Sequence, residues 1–278
     1  MRPTARTLLA SSHPGPTAVV TAVSTGLAVS VGLPATTIAV VVATIAANQL
    51  SIGWSNDAID AARDREAGRL DKPVARDEIA PRALLGWAVG AAVAAVALSL
   101  MLGVAAATAH AVLLAAGWSY NLGLKRTLAA TACYAVGFGA LPSIITLAAE
   151  PASVAAPWAS GAGALLGVAA HFANVAPDRD DDRRHRMRAL PHLLAPRASI
   201  AMAVGVLALA SAMGIAGAAG AGPIGPLSLV GAGLSALCVA AASVLLVRAP
   251  HSRWLFRLVM ASAIATVIVL LGAGTLAG

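Results

Sequence analysis

Asn56, Asp60 and Asp64 recur at intervals of four residues, and far downstream Asn174, Asp178 and Asp182 recur at the same interval. On a helix such steps stack side chains on one face with a drift of roughly 40° per step, so each set forms a ladder of oxygen donors. Asp57 lies about 100° round from Asn56 and reaches the same space from its edge. Hard divalent cations favour oxygen ligands, and Mg²⁺ is usually shared between one or two carboxylates and the phosphate oxygens of a substrate. Two facing ladders therefore predict a diphosphate held through Mg²⁺. The expected metal ligands are Asn56, Asp60, Asp64, Asn174, Asp178 and Asp182, and catalysis is expected to depend on Asp57, Asp60, Asp64, Asp178 and Asp182. Asp180 and Asp181 point elsewhere on a helix and are expected to be solvated.

The elements carrying these ladders cannot belong to a soluble globule. Of 278 residues 59% are hydrophobic and only 11% charged, and the mean hydropathy of +0.81 leaves too little polar surface to cover one. A membrane span needs about 20 apolar residues. That ruler gives nine segments, at 17–33, 35–55, 82–101, 103–121, 128–148, 154–176, 198–221, 227–247 and 255–277. Their Ala and Gly content suits close helix packing in lipid. The expected fold is all-α: one polytopic bundle of nine transmembrane helices over residues 1–278, capped by cytoplasmic loops.

Charge placement agrees with that count. All 19 Lys and Arg fall in the N-terminal tail or in the links after the second, fourth, sixth and eighth segments, and the alternate links carry none. Nine alternating spans put every one on one side, which the positive-inside rule makes cytoplasmic. The N-terminus is then inside and the C-terminus outside, in a membrane expected to be a bacterial cell membrane, and both ladders face the cytoplasm. Residues 1–16 lack an apolar core with a cleavage site and are expected to be retained. The net charge of +7 reads as topology and headgroup attraction, with no nucleic-acid motif beside it. Cys133 and Cys238 lie inside spans and are expected to be packed thiols.

Only the links at about 60–81 and 177–196 are long. Both begin with an acidic ladder, run through Arg-rich sequence and end near Pro, so one site is expected from two related halves. Lys72, Lys125, Arg126 and Arg188 are the leading cations for the diphosphate. Departure of diphosphate from an allylic prenyl chain leaves a carbocation, which requires an apolar, water-poor pocket and gains from aromatic faces. Trp54, Trp118, Tyr120 and Phe172 sit near the right ends of their spans; an interfacial belt is the commoner place for each, and Tyr120 and Phe172 are favoured over the two Trp as cavity residues by their proximity to the motifs. His171, three residues before Asn174, is placed to touch substrate, against the commoner role of an interior hydrogen-bonded His. For Asn121 substrate contact and helix-end capping are both open, and His110 is expected in packing.

At these residues the chain resembles the UbiA superfamily of intramembrane prenyltransferases, over nearly its whole length. The family signature N-D-x-x-D-x-x-x-D is matched by Asn56, Asp57, Asp60 and Asp64, and its D-x-x-x-D by Asp178 and Asp182. Tyr120 followed by Lys125 and Arg126, and Leu190-Pro191 closing the second long loop, fit as well. The Lys-x-x-Arg-Pro run common in the family is reduced here to Lys72-Pro73, and Pro177 should bend or end its helix beside Asp178. The resemblance implies that the aspartates bind Mg²⁺-diphosphate under the two long loops. Asn56, Lys72, Tyr120, Lys125, Arg126, His171, Asn174 and Arg188 are then the expected substrate contacts.

The reading that follows is a Mg²⁺-dependent transfer of an isoprenoid group from a prenyl diphosphate to an aromatic or other lipophilic acceptor. Cyclisation of the prenyl chain on the same scaffold is the alternative, against which the 4% aromatic content argues mildly. Transport is a third class, disfavoured because the acids cluster at one face instead of along a pathway.

Overall fold

The computed structural model describes residues 4–177, 179, 187–249 and 252–273. A short helix, α1 (Ala5–Ala10), precedes α2 (Pro14–Val31), α3 (Ala35–Glu66), α4 (Pro81–Leu100) and α5 (Val104–Leu122). A 3₁₀ turn at Leu124–Arg126 leads to α6 (Ala129–Thr146) and α7 (Pro157–Val175). A one-turn helix, α8 (Leu190–Leu193), comes before α9 (Pro196–Ala221), α10 (Pro226–Arg248) and α11 (Trp254–Ala273).

Among the described residues each apolar segment thus folds as one helix of 18 or more residues. Seven of these, α2, α3, α4, α6, α9, α10 and α11, are long and apolar enough to cross a membrane. α5 and α7 are less apolar because they carry polar residues, His110 and Asn121 on one and His171 and Asn174 on the other; the first three are buried and Asn174 is exposed. Large apolar side chains face outward around the bundle: Val93, Leu100, Leu229, Leu237 and Val247 are each more than half exposed. So much outward apolar surface requires lipid around it, and the chain is an integral membrane protein.

Local sequence sets the helix limits. Pro stands in the first turn of α2, α4, α7, α9 and α10, where its missing N–H costs nothing. Gly32, at φ 78°, ends α2 with the left-handed turn that a residue without Cβ adopts freely. α7 stops at Val175, two residues before Pro177, with Ala176 still helical at φ −55° and ψ −43°; Pro177 brings no N–H to continue the helix. α3, with 32 residues, is about 48 Å long against roughly 30 Å of hydrocarbon. Its last turns therefore stand clear of the apolar layer, and these carry the first ladder.

Glycines on α7 bring α6 close. A Cβ on Gly163 would lie 2.6 Å from the Phe138 carbonyl oxygen, and one on Gly167 would lie 2.5 Å from that of Tyr134. Such four-residue spacing of small residues lets backbones touch where lipid provides no hydrophobic drive. At the N-terminus, Trp54 donates from Nε1 to the Leu8 carbonyl at 2.8 Å, and a Cβ on Gly53 would meet the Ser12 oxygen at 2.7 Å. Residues 4–13 are thereby strapped across α3 beside the ladder.

Candidate active site

A cavity of about 420 Å³ runs through the bundle. Asn56, Asp60, Arg63, Arg69, Lys72 and Lys125 line its charged end, together with Asn174, Met187 and His192 from the second half of the chain. Asp178 and Asp182 lie outside the described residues. Asn174 and Asp60 nevertheless share one cavity, so the last turn of α7 and the overhanging turns of α3 converge on it.

The first ladder is arranged differently from a single face of three ligands. Lys72 Nζ is 2.9 Å from Asp57 Oδ1 and 2.8 Å from Asp64 Oδ2. Asp57 and Asp64 are seven residues apart, which on a helix is about 700°, or two turns less roughly 20°. They therefore stack one above the other, and both are buried away from the cavity wall. Asp57 Oδ1 also accepts from His13 Nε2 at 3.0 Å. Asp60 remains on the cavity, taking Lys125 Nζ on Oδ1 at 2.6 Å and Arg63 on Oδ2 at 2.8 Å.

The two lysines of the chain thus both sit in this cluster, in opposite electrostatic balance. Burial works against the Lys72 ammonium, but the carboxylates of Asp57 and Asp64 outweigh it and hold the pKa above the usual lysine value. Burial dominates at Lys125 and lowers its pKa, with Asp60 only partly opposing.

Asn56 is fixed by its neighbour. Its Nδ2 donates to Asn121 Oδ1 at 3.1 Å, while Asn121 Nδ2 is spent on the Ile52 carbonyl and Ser55 Oγ, each at 2.9 Å. The Asn56 carbonyl oxygen is the end left for a ligand. Asn121, open between capping and substrate contact in the sequence, is a buried lock between α5 and α3.

Among the described residues no three His, Cys, Asp or Glu side chains converge as a metal cage. The donors present, the Asn56 amide oxygen and the Asp60 carboxylate on successive turns, fit a hard cation that takes the rest of its shell from substrate phosphate. Ammonium groups within 3 Å of Asp57, Asp60 and Asp64 mark this as a place built to keep cations against carboxylates.

Away from the charges the wall is apolar and, along α5 and α6, aromatic. Tyr120, Tyr134 and Phe138 line it; Tyr120 meets Tyr134 edge-on at 5.3 Å, and Tyr134 stacks on Phe138 at 6.1 Å. His171 lies behind this wall, 4.9 Å from the Tyr134 ring, and off the cavity. Of the aromatic residues singled out in the sequence only Tyr120 lines the cavity. Trp54 is buried against α1 and α4, Trp118 donates to Ser51 Oγ at 2.9 Å, and Phe172 packs in the core with Ala169 and Leu207. Arg126 and Arg188 are exposed at the rim, where the Arg188 N–H donates to the Arg126 carbonyl at 3.1 Å.

Several lining residues are absent from the sequence reading: His13, Arg63, Arg69, Tyr134 and Phe138. His192 is buried on α8 and also lines the cavity. Tyr134 and Phe138 had a signal, since two aromatics four residues apart mark one helix face. His13 had none, because its place depends on the strap crossing α3.

A sequence profile of the UbiA prenyltransferase family matches residues 15–263. The chain belongs to that family. No curated protein matches it. Among solved structures, a UbiA homolog from Aeropyrum pernix K1 shares the fold at a TM-score of 0.76 and 20% identity, covering 94% of this chain and 96% of that one. A digeranylgeranylglyceryl phosphate synthase structure matches at TM-score 0.66 and 15% identity, with 96% of each chain covered. A UbiA homolog from Archaeoglobus fulgidus bound to GPP and Mg²⁺ matches at 0.64 and 11%, covering 94% and 99%. The UbiA family match begins after His13, so the strap over α3 lies outside it.

Proposed function

We propose that this protein is a Mg²⁺-dependent intramembrane prenyltransferase that moves an isoprenoid group from its diphosphate to a lipophilic acceptor. The observation that carries this is a single cavity with Asn56, Asp60 and Lys125 at one end and an apolar, aromatic wall beyond. A diphosphate fits the first part and a hydrocarbon tail the second. Asn56, Asp60 and Asn174, with Asp178 and Asp182, would hold Mg²⁺, which when bound offsets charge on the leaving diphosphate. The neighbour bound to GPP and Mg²⁺ supports that choice of ligand.

Lys125, Arg63 and Arg69 line the same end and are within reach to stabilise the charge developing on the departing oxygen. Lys72 lines this end too, keeping Asp57 and Asp64 paired in the absence of other cations. The faces of Tyr120 and Tyr134 stabilise the allylic cation while the apolar wall excludes water. Nine spans with the charged links inside would place this end at the cytoplasmic surface.

The convergence of Tyr120, Tyr134 and Phe138 also favours a second reading, cyclisation of the prenyl chain. Incubation of purified protein with geranyl, farnesyl or geranylgeranyl diphosphate and Mg²⁺, with and without quinone precursors, phenolic acids or lipid alcohols, separates them. Diphosphate release that requires an acceptor, and stops in EDTA, is the expected result. Cyclic products without acceptor would replace transfer by cyclisation, and no release under any condition would remove both.

A further inference from the structure

The cavity has a far end, and one side chain stands at it. α7 lines the space at both Asn174 and Trp158, positions sixteen residues apart and so separated by about 24 Å along the helix. α11 spans a similar depth, from Phe256 to Leu270. Around Trp158 the lining residues Leu27, Leu141, Ala159 and Leu270 belong to an apolar cluster of buried residues against which Trp158 packs. The indole is backed by α9: a Cβ on Gly217 would overlap its Cγ, Cδ2 and Cε3 atoms. Trp158 therefore lies between α9 and the cavity and cannot retreat toward α9.

From these features we infer that Trp158 is the floor that sets the longest prenyl tail the site accepts, about four isoprene units. The inference rests on the reading of the cavity as a prenyl diphosphate site. With carbon–carbon bonds near 1.5 Å, one unit of four chain carbons advances roughly 5 Å. A depth of about 24 Å, less the length taken by the diphosphate at Asn174 and Asp60, leaves space for about four such advances. A fifth unit meets the indole.

Two variants act in opposite directions. Trp158→Ala removes the floor and opens roughly one unit of extra depth. Gly217→Ala pushes the indole away from α9 and into the cavity, shortening it. The measurement is displacement of labelled geranyl diphosphate, with Mg²⁺, by diphosphates of two to six units. In the unaltered protein, affinity should rise by about tenfold or more with each unit that finds apolar room, up to four units, and drop at five. Trp158→Ala should move the optimum to five units and Gly217→Ala to three.

Equal binding of five- and six-unit diphosphates by the unaltered protein would overturn the floor, as would an optimum that neither variant moves. If Trp158→Ala fails to fold, the shift in Gly217→Ala decides alone. Absence of Mg²⁺-dependent binding at every length removes the prenyl diphosphate reading itself, whereas binding with an unmoved length profile removes only the role of Trp158.

Discussion

At the scale of single residues the charged end of the cavity is a set of buried ion pairs with unequal reserves. Lys72 answers two carboxylates and Lys125 answers one. Because burial depresses Lys125 while Asp57 and Asp64 elevate Lys72, Lys125 should lose its proton first as pH rises. The contribution of Lys72 to stability is present below its ordinary value and is lost only as pH climbs through its raised one. With two lysines in the chain, selective isotopic labelling gives two side-chain resonances, and a reversed titration order would refute this balance. Asp60 is the carboxylate on the cavity itself, so Asp60→Ala should lower turnover by at least about a hundredfold while the detergent-solubilised protein keeps its elution profile and helical signal. Near-normal activity in that variant would remove Asp60 from the site.

At the scale of elements the site depends on backbones that approach more closely than side chains would allow. α7 meets α6 through Gly163 and Gly167, and this contact presents Tyr134 and Phe138 to the cavity. Gly163→Val would drive a branched side chain into the Phe138 carbonyl and should cost about 1–3 kcal/mol, seen as a lower thermal midpoint with weakened prenyl diphosphate binding. An unchanged midpoint would show that α6 and α7 tolerate separation. The strap works in the same way on α3, where Gly53 leaves room for the Ser12 carbonyl and so delivers His13 to Asp57.

At the scale of the whole molecule the outward apolar surface and the inward polar mouth define how the bundle sits in lipid. If all nine long helices cross, Glu150, on the α6–α7 link, and Arg126, on the α5–α6 link, lie on opposite sides. Both are exposed. In a background lacking Cys133 and Cys238, Glu150→Cys should react with a membrane-impermeant maleimide from outside intact cells and Arg126→Cys only after permeabilisation. Labelling of both from one side would refute nine alternating spans.

Class and helical segments were legible in the sequence, because apolar length, proline starts and charge placement are local signals that lipid enforces strictly. The sequence also carried the UbiA family signature in Asn56, Asp57, Asp60 and Asp64. Tertiary structure alone decided which faces turn inward. Period and spacing place residues on a helix but leave its rotation open, so Phe172 went to the core, Tyr134 to the cavity, and Lys72, on the cavity wall, to a bridge between two stacked carboxylates. His13 and Trp158 owe their positions to contacts between segments distant in the chain, with Asp57 in one case and Gly217 in the other, and no local pattern encodes such meetings.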